Sequence, residues 1–123
     1  ACERHIETHD LDGAKSFKDY RDLLKMKDVE AVSICTPNWL HKRPTLDALR
    51  AGKHVMVEKP MAMSAREAQA MCDAAKAAKK VLTIGFQHRF KPSVQFVRRA
   101  VEEGQLGDVL YCRAQALRRR GIP

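Results

Sequence analysis

Apolar residues fall along this chain in two rhythms. Short runs dense in Val, Ile and Leu alternate with longer stretches whose apolar positions recur every three or four residues. The first rhythm suits buried strands and the second amphipathic helices. Ala1 to His9 is polar and compatible with the end of a helix, and Leu11-Asp12-Gly13 carries a turn signal. Ala14 to Phe17 is expected as a short strand. Lys18 to Met26 is expected as a short helix with Tyr20, Leu23 and Leu24 on one face. Glu30 to Cys35 is nearly all apolar and is bounded by Asp28 and Thr36-Pro37-Asn38, which predicts a strand covered on both faces. Leu40 to Ala51 reads as a helix that tolerates Pro44 in its first turn and leaves through Gly52. His54 to Val57 is a second strand, cut off by Glu58-Lys59-Pro60 because Pro cannot donate to a ladder. Ser64 to Lys79 is the clearest helix. Ser64 and Glu67 have capping-box spacing, and Ala68, Met71, Cys72 and Ala75 repeat on one face. Val81 to Ile84 is a third buried strand, ended by Gly85 and followed by a loop, Phe86 to Phe90. Pro92 opens another helix with Val94, Val97 and Val101 inward and Gly104 as its stop. Asp108 to about Leu117 alternates in part, as a half-solvated strand of a different, antiparallel sheet would.

Strands separated by helices long enough for right-handed crossovers define half of a doubly wound α/β domain. The 123 residues leave room for one modest domain with a real core. The chain opens on Ala1 and stops just beyond a predicted strand, so an internal piece of a longer protein is expected. Net charge is +8, from 23 Lys and Arg against 15 Asp and Glu. The basic residues are spread through helices and alternate with acids, and Arg118-Arg119-Arg120 is the only tight run. With 6% aromatics and no interleaving of rings and cations, no platform for stacking bases is in view, so a nucleic-acid partner is not expected. Cys2, Cys35, Cys72 and Cys112 lie far apart without metal-ligand spacing, so no metal site is expected. Cys35 and Cys72 read as small buried hydrophobes. No apolar run approaches the roughly 20 residues that span a bilayer. Thiols without a signal peptide point to a cytoplasmic protein with no membrane partner.

In an open parallel sheet, ligands bind outside the carboxyl ends of the strands. Three strand ends should share that edge here: Thr36-Pro37-Asn38 with His41, then Glu58-Lys59-Pro60, then Gln87 with Arg89. Lys59 taken alone is better explained as a solvated residue at a strand end. Its convergence with the other two ends gives it a chemical role. The same alternatives stand elsewhere. Asn38 can cap a helix, His41 can fill a first turn, and Trp39 can serve as packing or as a lid, packing being favoured. His54 reads as structural rather than as a ligand.

The chain resembles the Gfo/Idh/MocA oxidoreductases, the group of glucose-fructose oxidoreductase and inositol dehydrogenase. The residues that carry the resemblance are Ala31-Val32-Ser33-Ile34-Cys35-Thr36-Pro37-Asn38 with His41, Ala51-Gly52-Lys53-His54-Val55-Met56-Val57-Glu58-Lys59-Pro60, and Gly85-Phe86-Gln87-His88-Arg89-Phe90. It implies a partial doubly wound, Rossmann-like parallel sheet lacking its first two strands, over residues 1–107. Residues 108–123 would then hold the first strand of a second α+β domain for substrate and oligomerisation. The strand at Glu30 to Cys35 would expose an apolar edge, and Ala14 to Phe17 would have nothing to pair with. The implied activity is hydride transfer between NAD or NADP and a sugar, polyol or related hydroxyl or carbonyl compound, in a protein that forms homo-oligomers at full length. A non-catalytic dinucleotide-binding regulator of the same fold is the alternative.

By the same resemblance, Thr36, Pro37, Asn38 and His41 contact the cofactor. Glu58 and Lys59 lie by the nicotinamide ribose, Gln87 lies near the nicotinamide and Arg89 is close by. Lys59 also reaches the substrate hydroxyl, where a Lys can move a proton or hold a developing alkoxide. The glycines stand at 13, 52, 85, 104, 107 and 121 and form no G-x-G-x-x-G. The chain therefore carries half of a cofactor site, and on its own is expected to bind cofactor weakly and to be inactive.

Overall fold

Three short strands pair side by side through their backbones, and each of the first two is followed by a helical segment that returns the chain to the end where the next strand begins. The computed structural model describes residues 13–115 and 117. The expectations for Ala1 to His9, Leu11-Asp12, Cys2 and Arg118 to Arg120 fall outside these residues. The chain divides into two units, Ala1–Phe86 and Gln87–Pro123.

In the first unit, helix α1 (Tyr20–Leu24) precedes strand β1 (Ala31–Ile34). A 3-10 turn (Asn38–Leu40) leads into α2 (Lys42–Arg50), β2 (His54–Val57), α3 (Ala65–Ala78) and β3 (Leu82–Ile84). The sheet is parallel in the order β1-β2-β3, with Ile34 opposite Val57 and Val57 opposite Ile84. Right-handed crossovers between neighbours taken in sequence order put α2 and α3 on one face. This is the partial doubly wound, Rossmann-like sheet of the resemblance, with β1 at its edge. An apolar groove of about 340 Å³ runs beside that strand, lined by Tyr20, Leu24, Val32, Ile34 and Pro44 among others.

Burial follows the period of each element. Ile34, Val55 and Val57 point to the helices and meet Ala48 and Leu49 of α2 and Met71 and Ala75 of α3 in one cluster. Burying each of the larger side chains contributes about 1.5–3 kcal/mol. Ala31, Ser33, Met56 and Thr83 alternate to the opposite face and are exposed. Coverage on both faces was expected; among the described residues only one face is covered, because both crossovers fall on the same side. Cys35 follows the same alternation and is exposed, and Cys72 is half-buried, so neither is the buried hydrophobe expected.

The helix ends are built from side-chain and backbone hydrogen bonds. Ser64 caps α3 by accepting from the Glu67 amide at 3.2 Å. Glu67 reaches back to the Met63 amide at 3.3 Å and pairs with Lys42 at 3.5 Å. Helix α2 closes with Lys53 N–H on the Ala48 carbonyl, and α3 with Lys80 N–H on that of Ala75, both at 3.0 Å. Such closures need a left-handed residue just past the helix. Gly52 supplies it at φ 75°, and Lys79 adopts it at φ 52° despite its side chain. At the amino end of the sheet the Val81 amide donates to His54 Nδ1 at 3.1 Å, so His54 is structural and the third strand begins one residue later than expected.

Ala14 to Phe17 is not a strand. One apolar side chain of size, Phe17, gives it too little to bury, and no ladder partner reaches it among the described residues. In the second unit a 3-10 turn (Gln87–Phe90) leads to α4 (Pro92–Glu102). Val94, Val97 and Val101, expected inward, are exposed, and Ala100 is the buried residue of this helix. Asp108 to Gln115 and Leu117 form no strand. Partial alternation supplies propensity, but a ladder also requires a neighbouring strand to receive its hydrogen bonds.

Candidate active site

Parallel register brings the carboxyl ends of β1, β2 and β3 into line. The ladder continues past them, with Glu58 N–H on the Ile34 carbonyl and Gly85 N–H on that of Val57, both at 2.9 Å. Thr36-Pro37-Asn38, Glu58-Lys59-Pro60 and Gly85 therefore leave one edge of one sheet.

After β1, Pro37 starts the 3-10 turn and Leu40 N–H closes it on the Pro37 carbonyl at 2.8 Å. Thr36, Pro37 and Asn38 are exposed. Asn38 lies inside the turn rather than at a cap, so its amide stays available to a ligand. Trp39 is 70% exposed, contrary to the packing role expected, because the turn directs positions 39 and 40 outward before His41 swings in.

After β2, the Glu58 carboxylate bends towards the end of β3. Its Oε2 accepts from the Lys59 amide at 3.1 Å. A Cβ at Gly85 would lie 3.1–3.2 Å from this carboxylate, so the missing side chain of Gly85 provides the seat. Lys59 is exposed, enters no ion pair among the described residues, and is joined to Pro60 by a cis peptide.

His41 is the inward-facing member. Its side chain is fully buried. Nδ1 lies 2.8 Å from the Pro60 carbonyl oxygen and Nε2 lies 2.8 Å from that of Thr36. The ring bridges two backbone turns, each of its nitrogens lying against a carbonyl oxygen.

Thr36, Pro37, Asn38, His41, Glu58 and Lys59 are thus brought to one edge of the first unit. Gln87 and Arg89 belong to the 3-10 turn that opens the second unit, where the Gln95 amide donates to the Arg89 carbonyl. Gly85 was seen from the sequence only as a strand stop. A glycine directly after a strand, with a carboxylate directly after the neighbouring strand, is the signal that marks it as a seat.

The donor set suits part of a dinucleotide. A carboxylate accepts from ribose hydroxyls, an amide and an ammonium donate, and all stand at the edge where such sheets bind nucleotides. This fold and this edge define a nucleotide-binding α/β domain. Residues 3–86 match the model of the GFO_IDH_MocA group, an oxidoreductase family with an NAD-binding Rossmann fold, and the chain belongs to that family. It is 44% identical over 110 residues to the D-glucoside 3-dehydrogenase of Escherichia coli, covering 89% of this chain and 31% of that protein. It is 32% identical over 111 residues to an inositol 2-dehydrogenase of Salmonella typhimurium, covering 89% of this chain and 33% of the relative. Among solved structures, a Bordetella pertussis dehydrogenase in complex with NADH and UDP-GlcNAcA superposes with a TM-score of 0.76 at 30% identity, covering 87% of this chain and 31% of that one. The chain thus spans about a third of the length of the curated relatives it matches.

Proposed function

We propose that the intact protein is an NAD- or NADP-dependent dehydrogenase or reductase acting on a sugar, polyol or related hydroxyl or carbonyl compound, with Lys59 as its proton-handling residue. The observation that carries this reading is an exposed Lys59 without an ion-pair partner among the described residues, next to a seated Glu58 and on the same sheet edge as Asn38. The names of the relatives support the substrate class. The names of these relatives, dehydrogenases both, favour the enzyme over the non-catalytic alternative.

Thr36, Pro37 and Asn38 would hold the cofactor from the β1 side and Glu58 from the β2 side; for Gln87 and Arg89 a cofactor role rests on the resemblance alone. When bound, the nicotinamide supplies the acceptor or donor of hydride. Lys59 Nζ takes the proton of the substrate hydroxyl in the oxidative direction and returns one to the carbonyl oxygen in the reductive direction. In its charged form it stabilises the oxygen while negative charge develops there. Residues 1–107 are assigned to the carboxyl-terminal part of the dinucleotide-binding domain, and 108–123 to the start of a substrate and oligomerisation domain that supports homo-oligomers. Exposed free thiols at Cys35 and Cys112 suit the reducing cytoplasm. The piece on its own is inactive in this reading.

The test is turnover of the intact protein on a panel of polyols and glycosides with NAD+ and NADP+, followed through the reduced nicotinamide. Lys59→Ala is expected to lower turnover by about 10²–10⁴-fold and to change NADH affinity far less. Equal turnover in the variant overturns the role of Lys59.

A further inference from the structure

We infer that His41 is a positioning residue, a strut that fixes the Lys59-bearing turn relative to the Asn38-bearing turn; this rests on the function proposed above. Two observations meet at this residue. The backbone of His41 is anchored on both sides, its N–H on the Asn38 carbonyl at 3.1 Å and its carbonyl accepting from Thr45 N–H at 3.3 Å. Its ring, fully buried, spans the carbonyls of Thr36 and Pro60 at 2.8 Å each.

Those two carbonyls leave different strands, and the residues that bear them are far apart in sequence. Thr36 immediately precedes Pro37-Asn38, and Pro60 immediately follows Lys59. Turns beyond the ends of a ladder lack strand partners for their carbonyls. A single rigid ring, rooted at the residue just before α2, lies against both, and a neutral imidazole donates its one N–H to one of them at a time. Imidazole has no rotatable bond between its nitrogens, so the spacing of the two turns is set by the ring. Replacing it removes a donor from between two turn carbonyls. An exposed lysine on a loop needs such support, because a functional side chain must be held to within about 0.5 Å of its working position. His41 touches neither substrate nor reacting atoms; it acts through the backbone of Lys59.

The experiment uses the intact protein with His41→Leu, which keeps bulk and loses both ring-nitrogen contacts, and His41→Gln, which keeps a donor. Hydrogen–deuterium exchange without cofactor is expected to rise together in peptides covering 38–41 and 58–62 of the Leu variant, less in the Gln variant, and to stay unchanged at Val55 to Val57. Turnover with NAD+ and the best polyol or glycoside is expected to fall by about 10²-fold in His41→Leu, the cost of a misplacement near 1 Å, and to recover in part in His41→Gln. Adding Lys59→Ala to His41→Leu is expected to cost less than Lys59→Ala alone. Folded variants with unchanged exchange in either segment, or unchanged turnover, overturn the strut. Failure of both variants to fold overturns it too, since the ring would then be core packing. If Lys59→Ala leaves turnover intact, the proton-handling role of Lys59 fails, while the exchange measurement still decides whether the strut exists.

Discussion

At the scale of single residues, the site depends on a side chain that is absent. Gly85 does not occupy the left-handed region, so its need is for space and not for backbone freedom. A methyl group there meets the tip of Glu58, which is flexible and can move aside. Gly85→Ala is therefore expected to cost little in folding, about 1 kcal/mol or less, while displacing the carboxylate. In the intact protein, NADH affinity should drop about tenfold, the equivalent of one weakened hydrogen bond to a charged group. Thermal unfolding paired with an NADH titration separates the two effects; a large loss of stability with unchanged affinity would contradict the seat. Lys59, Glu58 and Asn38 were legible in the sequence because topology alone sends all parallel strand ends to one edge. The direction of His41 was not. Its ring is aimed by a 3-10 turn and received by Pro60, a residue distant in sequence, and no local pattern reports such a contact.

At the scale of elements, α1 shows how a five-residue helix with no buried residue stays in place. Asp19 caps it through the Arg21 amide at 2.9 Å. Lys53 Nζ donates to the Met26 carbonyl just past the helix at 2.6 Å. Tyr20 donates to Asp47 of α2 at 2.7 Å. Burial first, then the hydrogen bond to Asp47 and its negative charge, raise the Tyr20 phenol above its usual 10.0. A raised value means the folded state holds the proton longer than the unfolded chain does. The stabilisation is complete below about pH 10 and is lost as pH climbs through the folded-state value. Tyr20→Phe is expected to remove about 0.5–1 kcal/mol at neutral pH. Thermal unfolding from pH 8 to 11 should decline less steeply in the variant than in the parent, and parallel declines would remove Tyr20 from the account.

The elements that were readable in advance carry their own punctuation. Gly52 and Glu58-Lys59-Pro60 bracket β2, and Ser64 announces α3. Ala14 to Phe17 and Asp108 to Leu117 were misread because a strand is decided by its neighbour, which a local pattern does not contain. Val94, Val97 and Val101 repeat at helical spacing without a surface that covers them, since a unit of this length encloses little core.

At the scale of the whole molecule, the chain holds one portion of a nucleotide site. It contains the β1 and β2 turns but no G-x-G-x-x-G to receive a pyrophosphate. Isolated 1–123 is expected to bind NADH no more tightly than about 1 mM, and a fluorescence titration giving micromolar affinity would show that these turns suffice. The uncovered side of the sheet bears on that measurement. Ser33, Met56 and Thr83 present a partly greasy wall that no helix among the described residues of the first unit covers, and a slab clad on one side behaves like a surfactant. Copies of the isolated piece will tend to adhere back to back as they are concentrated, so a faint nucleotide signal from it is meaningful only in dilute solution.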